Sequence, residues 1–299
     1  MKIGEKIKKL RNEKSMTQSE LAGKFITRNM LSLIESGSAQ PSLPTIIYLA
    51  KRLNVPAGIL VADDNDEYFY RRMTLIGNIR KAYSAGNYRI CLEMCDSAGG
   101  DVHDDEIELI SAECLLEVAK EEFFEGNLKL ASKYFDSACE HASSTIYNTL
   151  HIESESAVYC IYMRDAISPT IYSECAESTI SSCIAMENSF CRYAISIKSL
   201  LDEKEKEAEE YISSLSEDDI YAQHIRAKIN MRNSNCGEGK QIMLSILNST
   251  QNLPSPMIYD IFKDLEICCR ETGDFKGAYE YASSKVGLLQ RLLDEEESL

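Results

Sequence analysis

Glycine and proline are sparse in this chain, with 14 and six among 299 residues. Beyond residue 67 no strand alternation is found either, and apolar residues recur at helical spacing instead, which predicts an all-α protein. No run of apolar residues is long enough to span a membrane, and no secretory core segment opens the chain, so a cytoplasmic location with reduced thiols is expected. There are 11 cysteines, but no CxxC pair. The histidines (103, 141, 151 and 224) do not stand beside cysteine at zinc-ligand spacing, so no metal site is expected. Cys91 and Cys95 lie one turn apart and Cys268 and Cys269 are adjacent; both groups read as small buried hydrophobes rather than redox sensors. No HExxH, GxSxG or supported Cys/His pair occurs. Gly237-Glu238-Gly239-Lys240-Gln241 lacks the first glycine and the Ser/Thr of a phosphate loop, and reads as a turn. Catalysis and cofactors are therefore not expected.

The formal net charge is −16, the wrong sign for a nucleic-acid binder. The sign is not uniform. Residues 1–62 hold ten Lys/Arg and four Asp/Glu, and the remainder holds 22 and 44. A local basic face is what an electrostatic footprint on phosphates needs, and an acidic remainder disfavours a second such surface.

Within the basic segment, SMTQSELAGKFITRNMLSLIESG (15–37) reads as two short amphipathic helices and a tight turn. Thr17 and Glu20 form a capping box. Leu21, Ala22 and Phe25 follow as an apolar stripe. Thr27 is a second N-cap. After it Leu31 and Ile34 face inward, Arg28, Asn29 and Ser32 face outward, and Gly37 ends the helix. Arg suits a bidentate contact to guanine and Asn one to adenine. Helix 1 is expected to bury Ile3, Ile7 and Leu10, with Lys2, Lys6 and Lys9 on another face. Ser42 caps a fourth helix with Pro44 in its first turn and Ile46, Ile47, Leu49, Ala50 and Leu53 inside. Val55-Pro56 breaks it, and Ile59 and Leu60 close a fifth.

These motifs, in this order, make residues 4 to 60 resemble the Cro/C1-type (XRE) helix-turn-helix domain. The matching pieces are KIKKLRNEK, MTQSELA, LSLIESG and PSLPTIIYLAKRLNVP. The resemblance implies phosphate contacts from Gln18 and the Ser36-to-Gln40 loop, Ser38 included. It implies base contacts from Arg28, Asn29 and Ser32, with the cap Thr27 also counted among the DNA-binding residues, and an ion pair between Arg11 and Glu35. The chain departs from the family at two places. Phe25-Ile26-Thr27 puts no glycine in the turn, and Leu33 takes an outward position that is often polar.

Asp63 to Glu67 is a polar break, read as an acidic linker between a helix-turn-helix domain (1–62) and a second domain (68–299). In the second, three turns repeat. Gly86-Asn87-Tyr88, Gly126-Asn127-Leu128 and Gly273-Asp274-Phe275 each precede a helix with small residues on one face. Cys91, Ala131 and Ala278 share one position, and Cys95, Phe135 and Ala282 follow four later. This resembles the second half of the tetratricopeptide repeat. Three divergent hairpins are read between them: about 146–186 split at Ser168-Pro169, about 189–215 split near Asp202, and about 219–249 split near Gly237. The sum is an α-solenoid of about six helical hairpins, which stacks to bury apolar faces and leaves a concave surface. The leucine-rich tail from Leu288 is expected to cap the stack or to mediate dimer contact.

A Cro/C1-type domain followed by such a solenoid resembles the Rgg, PlcR, PrgX and NprR group of peptide-pheromone receptors of Gram-positive bacteria. The resemblance implies a transcription regulator that binds double-stranded DNA as a homodimer and is controlled by a short signalling peptide in the solenoid groove. Two other readings stay open: a ligand-independent repressor whose solenoid only dimerises, and a solenoid that binds and inhibits a partner protein. The groove residues are not assigned by the sequence. Asn148, Asn188 and Asn230 would suit a peptide backbone, and serve equally as ordinary polar residues.

Overall fold

The computed structural model describes residues 2–62, 64–98, 104–171, 173–174, 188–249 and 252–294. Among these residues the elements are sixteen α-helices and one π-helical turn, so the chain is all-α. No helix among them is long and apolar enough to cross a membrane. By packing, the chain divides into two units, Met1–Lys81 and Ala82–Leu299.

The first unit opens with five helices: α1 (Ile3–Glu13), α2 (Gln18–Ala22), α3 (Arg28–Glu35), α4 (Leu43–Arg52) and α5 (Ala57–Val61). Ile7, Leu21, Leu31, Ile34, Leu49, Leu53 and Leu60 form their common core, with Ile3 and Leu10 partly buried against it. Burying each of these side chains is worth roughly 1.5–3 kcal/mol, which is what holds helices this short in place. Gly4 lets α1 approach α3 closely, because a Cβ there would run into the carbonyl oxygen of Ile34. Ser42 caps α4 as its sequence position suggests, accepting from the Thr45 amide at 3.4 Å.

Four expectations about this unit are corrected. Lys6 is not on an open face. It is buried, and its ammonium donates to the Ala62 carbonyl at 2.9 Å, closing the C-terminus of α5. Ile47 is 41% exposed rather than inside α4. Phe25 lies beyond the end of α2, is 52% exposed, and stacks on Tyr48 with ring centroids 4.5 Å apart. Because α2 stops at Ala22, the turn does hold a glycine. Gly23 has φ +56°, and a Cβ there would run into the Tyr48 hydroxyl.

From Asp64 onward the acidic run read as a linker is helical, at the start of α6 (Asp64–Ser84), which carries across the division between the units. Carboxylates in a first turn are favoured by the helix dipole, so an acidic run does not break a helix there. Asp63 lies outside the described residues.

The second unit continues with α7 (Tyr88–Ala98), α8 (Asp105–Glu125), α9 (Leu128–Ser143), α10 (Leu150–Tyr162), the π turn (Met163–Ile167), α11 (Ser189–Leu201), α12 (Glu205–Ile212), α13 (Ile220–Arg232), α14 (Cys236–Leu247), α15 (Ser255–Glu271) and α16 (Phe275–Leu293). The pairs α8/α9, α11/α12, α13/α14 and α15/α16 are packed hairpins. The turn glycines Gly86, Gly126 and Gly273 all have positive φ. Cys91, Ala131 and Ala278 are buried at the shared position after each turn. The second half of the hairpin read over 146–186 includes residues 172 and 175–186, which lie outside the described residues. The split read near Gly237 is displaced. The turn is Asn233-Ser234-Asn235, and Gly237 sits inside α14.

First helices of successive hairpins touch one another, and the last hairpin returns to the α8/α9 hairpin. Ser255 Oγ donates to the Glu125 carbonyl at 2.9 Å, and the Leu292 side chain fills the space beside Gly126. Leu288 and Leu292 of the leucine-rich tail are thus part of the core, while residues 295–299 lie outside the described residues. Among the described residues, Cys91, Cys95, Cys114, Cys160, Cys191, Cys236, Cys268 and Cys269 are buried. Burial pushes the Cys95 thiol up to about 11 and that of Cys268 up to about 12. Cys139 is disulfide-bonded, against the expectation that every thiol is reduced.

Candidate nucleic-acid interface and solenoid groove

Two caps set the starts of α2 and α3. Thr17 Oγ1 accepts from the Glu20 amide at 3.2 Å while the Glu20 carboxylate accepts from the Thr17 amide at 2.7 Å, which fixes the start of α2. Thr27 Oγ1 accepts from the Met30 amide at 3.1 Å and fixes the start of α3. With Leu31, Ile34 and Glu35 buried, helical geometry turns Arg28, Asn29, Ser32 and Leu33 outward.

Glu35 joins α1, α2 and α3. Its carboxylate accepts from Arg11 Nε at 2.6 Å, Arg11 Nη2 at 3.0 Å and Gln18 Nε2 at 2.8 Å. Burial alone would raise the Glu35 carboxyl, but the hydrogen bonds from Arg11 and Gln18 and the Arg11 charge outweigh it and hold it below the usual range. Arg11 Nη1 also donates to the Met16 carbonyl at 2.8 Å. Gln18 is therefore a half-buried residue that steadies Glu35, with one amide proton committed.

Thr27, Arg28, Asn29, Ser32, Ser36 and Ser38 are all exposed. Among the described residues, Arg28, Asn29 and Ser32 have no side-chain partner, which leaves their donors and acceptors free. Ser36 Oγ donates to the Leu33 carbonyl at 3.0 Å and lies 2.9 Å from Ser38 Oγ, so these two hydroxyls order the loop behind α3.

Residues 7–60 match the family described as Helix-turn-helix. The first unit therefore carries a helix-turn-helix domain. No curated protein sequence matches the chain. Similar solved structures include Bacillus thuringiensis PlcR in complex with the peptide PapR7 and DNA, at 14% identity, covering 98% of this chain and 99% of that one, with a TM-score of 0.23. They include the apo form of ComR from S. thermophilus, at 16% identity, 95% and 98% coverage and a TM-score of 0.28. They also include the Streptococcus dysgalactiae SHP pheromone receptor Rgg2, at 14% identity, 95% and 99% coverage and a TM-score of 0.20.

The second unit holds a groove of about 290 Å³. Its walls come from the π turn (Ala166), α11 (Ile197, Leu200, Leu201), α13 (Lys228, Met231, Arg232) and α15 (Asp260, Lys263, Asp264, Ile267, Glu271). The lining is half apolar and half charged. Arg232 Nη2 donates to the Leu200 carbonyl, whereas Lys263 has no ion-pair partner among the described residues.

Beneath the groove runs a buried polar chain. Tyr162 and Tyr193 hydroxyls lie 3.5 Å apart, Tyr193 Oη is 3.0 Å from His224 Nδ1, and His224 Nε2 is 3.1 Å from Asp264 Oδ2. Lys228 Nζ then lies 2.6 Å from Asp264 and 3.0 Å from Asp260. Burial would raise the Asp264 carboxyl, but the Lys228 charge and the His224 contact prevail and lower it to about 2. His224, Asp260 and Asp264 converge closely enough to hold a metal ion, but the Lys228 ammonium already neutralises both carboxylates, so the donor set does not call for one.

Aromatic rings fill the space beside this chain. Tyr159 stacks on Phe190 at 4.4 Å, Phe123 meets both at 4.9 Å, and Tyr193 lies 5.2 Å from Tyr221. Tyr159, Phe190 and Tyr221 are spaced by 31 residues, as are Tyr162, Tyr193 and His224. That period marks equivalent positions on three first helices. It is visible in the sequence, and a search keyed to glycine turns passes over it. Two of the asparagines considered for a groove prove to be helix starts. Asn148 Oδ1 accepts from the Leu150 amide at 3.1 Å and Asn188 Oδ1 from the Phe190 amide at 2.9 Å. Asn230 is not in the groove lining.

Proposed function

We propose that this chain is a sequence-specific, DNA-binding transcription regulator controlled by a short peptide bound in the groove of its second unit, and that it acts as a homodimer. The observation that carries the DNA half is the exposed face of α3, where Arg28, Asn29 and Ser32 stand unpaired on a domain matched to the helix-turn-helix family. Such a helix reads base edges from its N-terminal end. The ten Lys/Arg of residues 1–62 supply the phosphate term. Two copies on half-sites about one helical turn apart would read a pseudo-palindrome.

The peptide half is supported by the groove. It mixes Ile197, Leu200, Leu201, Met231 and Ile267 with Lys263, Arg232 and Glu271, which suits a peptide that offers apolar side chains and charged ends. Its walls are the first helices of consecutive hairpins, so an occupant would alter how those hairpins stack. It would control DNA binding only through different affinities for two arrangements of the protomers. Regulation, rather than catalysis, is the activity this reading assigns.

The test of the DNA half is Arg28→Ala with Asn29→Ala, measured by fluorescence anisotropy on a duplex selected by the wild-type protein. Loss of one bidentate base contact should cost about 1–3 kcal/mol, or roughly 5-fold to 150-fold in affinity. Affinity that survives both changes at physiological salt would remove α3 from its assigned role.

A further inference from the structure

Leu33 sits where the recognition surface has no use for an ordinary leucine. It is 48% exposed. Asn29, Leu33 and Ser36 follow at i, i+4 and i+7, forming one stripe opposite buried Leu31 and Ile34. Leu33 is therefore near the centre of the face of α3 opposite the side that packs on α1 and α2. About half of its surface is open, while its polar neighbours Asn29 and Ser32 keep their hydrogen-bonding groups free among the described residues. An apolar side chain in the middle of a polar reading face gains nothing in water. It gains when it meets an apolar partner, and the one apolar group that a base edge presents in the major groove is the C5 methyl of thymine.

We infer that Leu33 reads a thymine methyl group and so sets the sequence preference beside the base that Asn29 contacts. The inference rests on the DNA-binding reading above and adds to it a specificity determinant of a different chemical kind. Leu33 follows Asn29 by four residues, about 6 Å along the helix axis. The thymine is then expected within about two base-pair steps of the Asn29 contact, since steps are about 3.4 Å.

The experiment uses the full chain and a duplex selected from a randomised pool by the wild-type protein. Each thymine is replaced in turn by deoxyuridine, which removes the methyl group and leaves every hydrogen-bonding atom. At one or two neighbouring positions wild-type affinity should fall about threefold to tenfold, the scale of losing one buried methyl. Leu33→Ala should show a comparable loss on the thymine duplex and no further loss on the deoxyuridine duplex. The substitution is exposed and helix-compatible, so folding is retained, and circular dichroism checks this. Additive losses, or no sensitive thymine, would overturn the inference while leaving DNA binding intact. So would a Leu33→Ala protein that keeps its affinity and changes its sedimentation, which would place Leu33 in a protein contact. If no duplex is selected at all, the underlying DNA reading fails and the inference falls with it.

Discussion

Glu35 and Lys228 each hold several elements in place through one buried charge. Removing one partner of a buried ion pair leaves the other desolvated and unpaired, which costs more than the pair contributes when intact. Arg11→Ala strands Glu35, whose side chain is only 3% exposed. The N-terminal unit should lose about 3–5 kcal/mol, read as a shift in its denaturation midpoint in the full chain. Lys228→Met strands two carboxylates and gives a sign as well as a size. In the native chain Asp264 is lowered to about 2, so its contribution is complete above about 4, its unfolded range, and is lost as pH falls toward 2. In the variant the Lys228 charge that holds the buried Asp264 carboxyl low is gone, so the pKa of Asp264 rises. The deficit should then be largest near neutral pH and shrink as pH falls. Melting curves from about pH 7 to 4 decide it, and a deficit that grows on acidification would refute the assignment.

At the scale of the element, caps were legible in the sequence and helix ends less so. Thr17, Thr27 and Ser42 accept the amides that their positions suggest, because a cap is a local interaction among four residues. Thr27→Ala should cost about 1 kcal/mol of stability and weaken DNA binding in proportion to fraying of α3. A change in melting with no loss of affinity would mean that the cap does not govern the reading face. The end of α2 was not legible. Phe25 continues the apolar spacing of Leu21 and Ala22, yet its partner is Tyr48, 23 residues away, and no local pattern announces a stacked pair between a turn and α4. Lys6 misleads similarly, since its acceptor is the Ala62 carbonyl at the end of α5. In the solenoid the glycine turns were readable from φ-dependent chemistry. The groove was not, because its lining comes from α11, α13 and α15 and depends on which faces meet. The 31-residue register of Tyr162, Tyr193 and His224 was the signal that would have pointed toward it.

For the whole molecule, the division of charge is the property that most shapes function. Residues 1–62 are basic and the remainder is acidic, so under the proposed function DNA would be held to the N-terminal segment and repelled by the rest. The central claim is that an occupant of the groove alters DNA affinity. The direct measurement is fluorescence anisotropy of the full chain on its selected duplex, with and without the small-peptide fraction of the producing cells. It is repeated with Leu201→Trp, which fills the groove from an exposed wall position. The account predicts a several-fold shift in Kd for the native chain and none for the variant, with both binding DNA. Equal Kd values for the native chain with and without the fraction, or the same shift in both proteins, would contradict it.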